Sequence, residues 1–239
     1  CTSDENAEER AARMKQDYLI EMERWIYSIT RYLERNQIPP DQSQGIIQQL
    51  REGDPHGMAK MTLDDFDMVV NVHLMGAAYC AHAVWPVMKA QNYGRILMTT
   101  SPTGLYGNFG QTNYGAAKLG QVGLMHSLKI EGAKNNIHTN TIAPVAATRM
   151  TEDLMPEAVL EKLGPELVTP AAIFLVSEDA PNGVILQAQG GKFSIACIVE
   201  NEGVQIGVDA TVEDIASNYE SIVNLDGAKP RGMLQLNAM

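Results

Sequence analysis

Residues 94–101, with the sequence GRILMTTS, constrain the fold more than any other stretch of this chain. They form a short and nearly all apolar run that is followed by glycine-rich turn residues. Such a run is typical of a strand that is buried on both faces of a parallel sheet. Parallel strands are joined by helical crossovers, so long helices should flank this strand on either side.

From Met61 onward, helical and strand patterns alternate along the chain. This order predicts an α/β fold with a partial Rossmann-like, doubly wound parallel sheet. In such sheets the functional site lies at the carboxyl ends of the strands. The predicted segments are helices at 62–90, 113–133, 157–164 and 170–179, and strands at 94–101, 137–144 and 183–191.

The first 57 residues differ from the rest of the chain. Residues 5–36 contain no glycine or proline and are rich in strong helix formers. We therefore expect a helical hairpin at residues 1–57, followed by the α/β portion at residues 58–239. Because one apolar stripe cannot form a domain of its own, it should bury against the main body or against another chain. The stripe consists of Met14, Tyr18, Met22, Trp25 and Ile29.

Composition excludes some classes of partner. The formal net charge of −11 argues against general nucleic-acid binding and against adhesion to anionic membranes. No apolar run approaches the roughly 18 residues that a membrane span needs, so none is expected. The three cysteines, Cys1, Cys80 and Cys197, lack metal-ligand spacing, which predicts no metal site and a reducing compartment, the cytoplasm or an organellar matrix. The alternative is a lipoprotein attached through Cys1.

Four polar side chains are candidates for catalysis. Tyr114 and Lys118 are one helical turn apart, so the ammonium group should lie close enough to lower the pKa of the phenol. Ser101 ends the strand and could bind a substrate oxygen to which Tyr114 gives a proton. Asn71, inside the long helix, could hold a water that links Lys118 to solvent. Simpler explanations are a solvated Tyr/Lys pair, a serine that caps the strand end and an asparagine that fills a kink.

Four residues resemble, in their order and spacing, the catalytic tetrad of the short-chain dehydrogenase/reductase family: Asn71, Ser101, Tyr114 and Lys118. Residues 61–230 look most like the (3R)-hydroxyacyl-CoA dehydrogenase domains of multifunctional β-oxidation enzymes. The resemblance implies hydride transfer between an alcohol and NAD or NADP, with a hydroxyacyl substrate such as a 3-hydroxyacyl-CoA. It also implies a set of residues that contact the cofactor: Tyr114, Lys118, Pro144, Val145 and Thr148.

The sequence departs from this family before residue 58. The family's Thr-Gly-x-x-x-Gly-x-Gly turn, which holds the cofactor pyrophosphate, does not occur in this sequence, nor does its Asn-Asn-Ala-Gly segment. Two interpretations follow. The chain is either an oxidoreductase subunit whose cofactor site needs another chain, or a non-catalytic structural or partner-binding subunit of a larger complex. Whether it is an enzyme stays open at this stage.

The family resemblance also predicts assembly. In the family, the helices that match residues 62–90 and 113–133 pair across a two-fold axis into a four-helix bundle. Here both helices contain glycine and alanine, which permit a close helix approach. We expect a homo-oligomer, or a hetero-oligomer with a related or full-length subunit.

Overall fold

The computed structural model describes residues 57–147 and 156–231. The predicted helical hairpin therefore lies outside the described residues, apart from Gly57. The main sheet has four strands in the order β1-β2-β3-β4, of which β1, β2 and β3 are parallel. The predicted α/β sheet is confirmed. The strands are β1 Gly94–Thr99, β2 Ile137–Val145, β3 Ile185–Gln189 and β4 Lys192–Ala196.

Helices lie close to the positions predicted at 62–90, 113–133 and 170–179, whereas the helix at Pro102–Tyr106 was not predicted. Helix α1 is continuous over Leu63–Gln91, with a π-helical turn at Asn71–Met75. The helix predicted at 157–164 is only one turn long, Glu157–Leu160, and Gly164 and Pro165 begin a separate 3-10 turn. The remaining helices are α2 Pro102–Tyr106, α3 Thr112–Gly132, α4 Glu157–Leu160, α5 Thr169–Val176 and α6 Val212–Ile222, with 3-10 turns at Ala133–Asn135 and Pro165–Leu167.

Helices cover both faces of the sheet. On one face, Ala171 and Leu175 of α5 pack against Ile142 of β2. On the other face, Val122 and Met125 of α3 pack against Ile185 of β3. Successive residues of a strand point to opposite faces, so these two apolar clusters lie on opposite sides of the sheet. This is the doubly wound arrangement that the sequence predicts.

The sheet continues beyond the last predicted strand. Gly190 and Gly191, with φ of 52° and 79°, form a two-residue turn after β3. Positive φ at both positions fits the tight hairpin turns that join antiparallel strands. Strand β4 then pairs antiparallel with β3. Its side chains are mostly exposed, so it lacks the buried apolar run by which the other strands are recognised.

A small helical unit follows the sheet and was not predicted. Helix α6 begins at a capping box, in which Thr211 and Asp214 satisfy each other's backbone N–H groups. A second sheet pairs β5 (Val199–Glu200) with β6 (Lys229–Pro230). Arg231 forms an ion pair with Glu200 beside it.

Helix α1 has an unusual length for a globular core. Among the described residues it is the one helix that is long and apolar enough to cross a membrane, with a mean hydropathy of 1.2 over an 18-residue window. This is weak support for a span, because core helices of soluble proteins pass the same test. Here α1 packs on α3, where Leu74 lies against Gly120. The expectation that no segment spans a membrane stays a prediction.

Candidate active site

Ser101 follows the carboxyl end of β1 and begins α2. Its backbone is extended, and its side chain accepts a hydrogen bond of 3.1 Å from the N–H of Thr103. This capping contact explains why a serine stands between a strand and a helix. The hydroxyl also forms a hydrogen bond with the side chain of Tyr114. Ser101 is therefore both the cap that the simpler explanation predicts and a neighbour of Tyr114.

Tyr114 lies in the first turn of α3 and is partly buried. Burial raises its pKa, and the hydrogen bond with Ser101 opposes that rise. The expectation that Lys118 lowers the phenol pKa is wrong for this structure, because burial dominates. The Lys118 ammonium lies 5.4 Å from the centroid of the Tyr114 ring rather than at its hydroxyl. The phenol therefore stays protonated at neutral pH and can act as an acid.

Lys118 is buried in the interior beneath Tyr114. Its Nζ donates a hydrogen bond of 2.7 Å to the carbonyl oxygen of Thr99. Its own carbonyl accepts a hydrogen bond of 2.7 Å from the Thr100 hydroxyl. Burial lowers the pKa of Lys118 to about 8, since the charged form loses its hydration. A small residue makes room here: a Cβ on Gly104 would lie 2.8 Å from the Lys118 Cβ.

The structure places His73 beside this pair, where sequence reasoning placed Asn71. The His73 and Tyr114 rings form a T-shaped pair, with centroids 5.2 Å apart and planes at 87°. Burial, together with the charge of Lys118, lowers the pKa of His73 to about 3, so its imidazole is neutral at physiological pH. The side chain of Gln121 donates to the His73 carbonyl oxygen and links this turn of α1 to α3.

Asn71 lies two residues earlier and is exposed. It opens the π-helical turn, and its carbonyl accepts a hydrogen bond from the N–H of Gly76. Its side chain forms no hydrogen bond with a described residue. The structure thus brings Ser101, Tyr114 and Lys118 together and leaves Asn71 apart, so its catalytic role stays a prediction. A π turn adds one residue to a helical turn and rotates the following side chains, which the sequence pattern does not reveal.

The predicted cofactor contacts are in part at the same edge of the sheet. Pro144 and Val145 end β2, the neighbour of β1, and are partly buried. Because β1 and β2 are parallel, their carboxyl ends meet near Ser101. Thr148 lies outside the described residues.

These residues fit one end of a nicotinamide dinucleotide. The buried Lys118 supplies ammonium donors, of which Thr99 takes one, so donors remain for a sugar hydroxyl. The neutral phenol of Tyr114 supplies a proton at the position of a substrate oxygen. Among the described residues, however, the helix that follows β1 does not begin at a glycine-rich turn that could hold a pyrophosphate. The site therefore fits the nicotinamide end, and the phosphate end is not provided by these residues.

Comparisons with known proteins agree with this geometry. Residues 46–158 match the family model for short chain dehydrogenases. A short-chain type dehydrogenase/reductase of Mycobacterium tuberculosis is 47% identical over 184 residues, which cover 77% of this chain and 63% of that protein. The peroxisomal multifunctional enzyme type 2 of Mus musculus is 43% identical over 182 residues, which cover 72% of this chain and 24% of that protein.

Solved structures show the same similarity. The full-length peroxisomal multifunctional enzyme type 2 of Drosophila melanogaster superposes with a TM-score of 0.68 at 35% identity, over 74% of this chain and 33% of that one. A short chain dehydrogenase of Mycobacterium avium gives a TM-score of 0.55 at 32% identity, over 73% of this chain and 61% of that one. The chain thus spans less than two thirds of these relatives. The similarity to the short-chain dehydrogenase/reductase family that the tetrad pattern predicts, and within it to the multifunctional enzymes, is confirmed.

Proposed function

We propose that this chain carries the catalytic residues of a short-chain dehydrogenase/reductase-type oxidoreductase, which transfers hydride between a secondary alcohol and NAD or NADP. One observation carries the proposal. Lys118 is buried without an ion pair to a described carboxylate, and its pKa is lowered. A buried, unpaired ammonium costs stability, so a purely structural subunit gains nothing from keeping it.

Each residue then has a chemical task. A bound nicotinamide accepts or supplies the hydride. During reduction, Tyr114 gives its phenolic proton to the ketone oxygen. During oxidation the phenol must first lose its proton, and the resulting phenolate then takes the hydroxyl proton of the alcohol. Ser101 donates a hydrogen bond to the same oxygen and holds it near the phenol. Lys118 keeps ammonium donors available for a sugar hydroxyl of the nicotinamide nucleotide.

The substrate that we propose is a hydroxyacyl thioester, 3-hydroxyacyl-CoA in particular. Two similarities support this class. An acetoacetyl-CoA reductase of Shinella zoogloeoides is 33% identical over 149 residues, which cover 62% of that protein. The peroxisomal hydratase-dehydrogenase-epimerase of Saccharomyces cerevisiae is 52% identical over 120 residues, which cover 13% of that protein.

We further propose that another polypeptide segment, from a related or full-length subunit, completes the cofactor site. This sequence lacks the glycine-rich turn of the family, and β1 is an edge strand of the described sheet, with one side open to pairing. The choice between NAD and NADP would then depend on that segment. The cytoplasm or an organellar matrix is the compartment that we propose, because several relatives are peroxisomal by name.

The test combines binding and turnover. Tyr114→Phe removes the transferable proton and keeps the ring, so oxidation of 3-hydroxyacyl-CoA by the native complex should fall by a factor on the order of 10² or more. Tyr219→Phe is the matched control, because Tyr219 is 57% exposed on α6, and it should leave turnover unchanged. Calorimetric titration with NADH and NADPH, with and without partner subunits, shows whether the cofactor site needs another chain.

A non-catalytic subunit is the alternative function. The observation that favours it is that the described residues and the sequence lack the phosphate-binding turn, whose charge-assisted hydrogen bonds contribute roughly 1.5–3 kcal/mol each. Equal turnover of the complex with wild-type chain and with Tyr114→Phe would support this alternative over the enzyme.

A further inference from the structure

Two buried amide side chains of α3 form hydrogen bonds with the backbone of α1. Asn113 and Gln121 are 9% and 4% exposed. The Asn113 Nδ2 donates to the carbonyl oxygen of Asp65 at 3.4 Å, and the Gln121 Nε2 donates to the carbonyl oxygen of His73. In both bonds the partners are 48 residues apart in the chain, so the two helices run parallel and keep one register over this stretch. Because a buried amide that loses its partner costs stability, the two bonds oppose a shift of one helix along the other.

The two amides lie on either side of the Tyr114–Lys118 pair. On α3, both residues of the pair fall between Asn113 and Gln121. Asn113 is also bonded to Tyr114 directly, because its Oδ1 accepts the backbone N–H of Tyr114 at 2.7 Å. That N–H is one of the first-turn donors that an α-helix leaves without an acceptor of its own. One side chain therefore fixes the backbone of Tyr114 and joins it to the first turn of α1.

The proposed reaction depends on where the phenol is held. Tyr114 forms a hydrogen bond with Ser101, which follows β1 and so belongs to a different element from α3. A misplacement of about 1 Å at a reacting group can lower a rate roughly 10²-fold. Apolar contacts between α1 and α3, such as Leu74 against Gly120, are not directional and do not define a register by themselves. Hydrogen bonds do, because they weaken steeply when they are misaligned.

We propose that Asn113 and Gln121 are positioning residues, whose hydrogen bonds to α1 hold Tyr114 at the height of Ser101. Neither amide takes part in proton transfer, and each acts through Tyr114. A helix cap alone would need only an acceptor at residue 113, which aspartate provides at least as well as asparagine. The link to α1 needs a donor, which the amide has and an ionised carboxylate lacks. The inference rests on the proposed function for its effect on turnover, whereas its effect on Tyr114 is testable without catalysis.

Two substitutions remove the donors with little change in shape. Asn113→Asp keeps an oxygen for the Tyr114 N–H and loses the donor to Asp65, and its charge suits a helix N-terminus, so the variant should fold. Gln121→Met keeps the length of the side chain. It removes the donor to His73 together with an amide oxygen that has no partner among the described residues. In the native complex, each substitution should lower kcat for 3-hydroxyacyl-CoA by about tenfold with little change in KM.

Asn135→Asp is the matched control. Asn135 lies in the 3-10 turn after α3, and its Nδ2 donates at 2.9 Å to the side chain of Asn92, the C-cap of α1. It thus joins the same two helices at the ends that are far from Tyr114, and its substitution should leave kcat unchanged. A double-mutant cycle shows through which residue Asn113 acts. In a Tyr114→Phe background, Asn113→Asp should have almost no further effect on turnover, whereas full additivity would overturn the proposal.

NMR of the chain provides a measurement that is independent of turnover. The ¹³C resonance of the hydroxyl-bearing ring carbon of Tyr114 reports its hydrogen bond to Ser101, and Ser101→Ala gives the reference shift without that bond. Asn113→Asp and Gln121→Met should move the resonance toward this reference, and Asn135→Asp should not. An unchanged resonance in both of the first two variants would overturn the proposal. An inactive wild-type complex would contradict the proposed function, while the resonance would still decide the role of the two amides.

Discussion

The ammonium of Lys118 donates a hydrogen bond of 2.7 Å to the carbonyl oxygen of Thr99, the last residue of β1. This contact ties the functional helix α3 to the strand that carries Ser101 at its end. No described carboxylate forms an ion pair with the ammonium, so the chain keeps a charged group in its interior at a cost in stability. Replacing this residue with an uncharged one should therefore raise stability and lower activity.

Lys118→Met tests that opposition. Methionine fills a similar volume without a charge. The free energy of unfolding of the variant should therefore be about 1–3 kcal/mol higher than that of wild type at pH 7. Oxidation of 3-hydroxyacyl-CoA should be abolished. Urea unfolding measures the first effect and turnover of the native complex the second. Lys134→Met, in the 3-10 turn after α3, is the control and should change neither by much. A Lys118→Met chain that is less stable than wild type would contradict the structural argument.

The pH dependence of stability follows from the same residue. The pKa of Lys118 is lowered from 10.5 to about 8 in the folded chain, so between these values the unfolded chain binds more protons. Stability should therefore rise as pH increases from about 8 to 10.5, by about 3 kcal/mol from this group. Denaturant unfolding of wild type and Lys118→Met across this range isolates the contribution, because the variant lacks it. Parallel curves would show that burial does not shift this pKa.

Acid stability depends on His73 in the same sense. Its pKa falls from 6.5 to about 3 on folding, so the folded chain keeps a neutral imidazole where the unfolded chain binds a proton. Between pH 6.5 and 3, stability should therefore decrease as the pH falls, and by pH 4.5 the loss from this group should be about 3 kcal/mol. His73→Phe should lose less stability than wild type between pH 7 and 4.5. Equal losses in both chains would mean that His73 is already accessible to solvent.

The predictions that could be made from the sequence depended on local pattern. Apolar runs and helical periodicity gave the strands β1, β2 and β3 and the helices α1 and α3. The spacing of Tyr114 and Lys118 gave their shared face, because one helical turn fixes it. The exposed strand β4 carries no such pattern, and its pairing depends on the glycine turn before it.

The parts that could not be predicted depend on long-range burial. The pKa of Tyr114 rises because the phenol is buried, and the depth of burial is a property of the packed layers, not of residues four apart. The π turn shifts the phase of α1, so that His73 rather than Asn71 reaches Tyr114. Neither effect has a signal in the residue order.

Close packing at Gly104 provides a test of how tightly the site is held. A Cβ at this position would lie 2.8 Å from the Lys118 Cβ and 2.9 Å from the Leu119 backbone nitrogen, which cannot move away freely. Gly104→Ala should therefore lower the free energy of unfolding by about 1–3 kcal/mol and reduce turnover by displacing Lys118. Gly123→Ala is the matched control, because a Cβ there meets nothing within 4 Å. It should be neutral or stabilise α3 by up to about 1 kcal/mol, as alanine favours helix over glycine.

The exposed faces of α1 and α3 give the prediction on assembly. Tyr79 and Val87 of α1 are 65% and 62% exposed, and Leu119 and Ile130 of α3 are 49% and 46% exposed. Apolar side chains clustered on two long helices are typical of a protein interface. We expect the chain to sediment as a dimer or larger assembly at micromolar concentration. Val87→Asp should shift it toward monomer, because burial of an unpaired carboxylate opposes association. Val208→Asp is the control, since Val208 is 99% exposed and lies outside both helices, so assembly should not change. A monomeric wild-type chain would show that these faces are covered in another way.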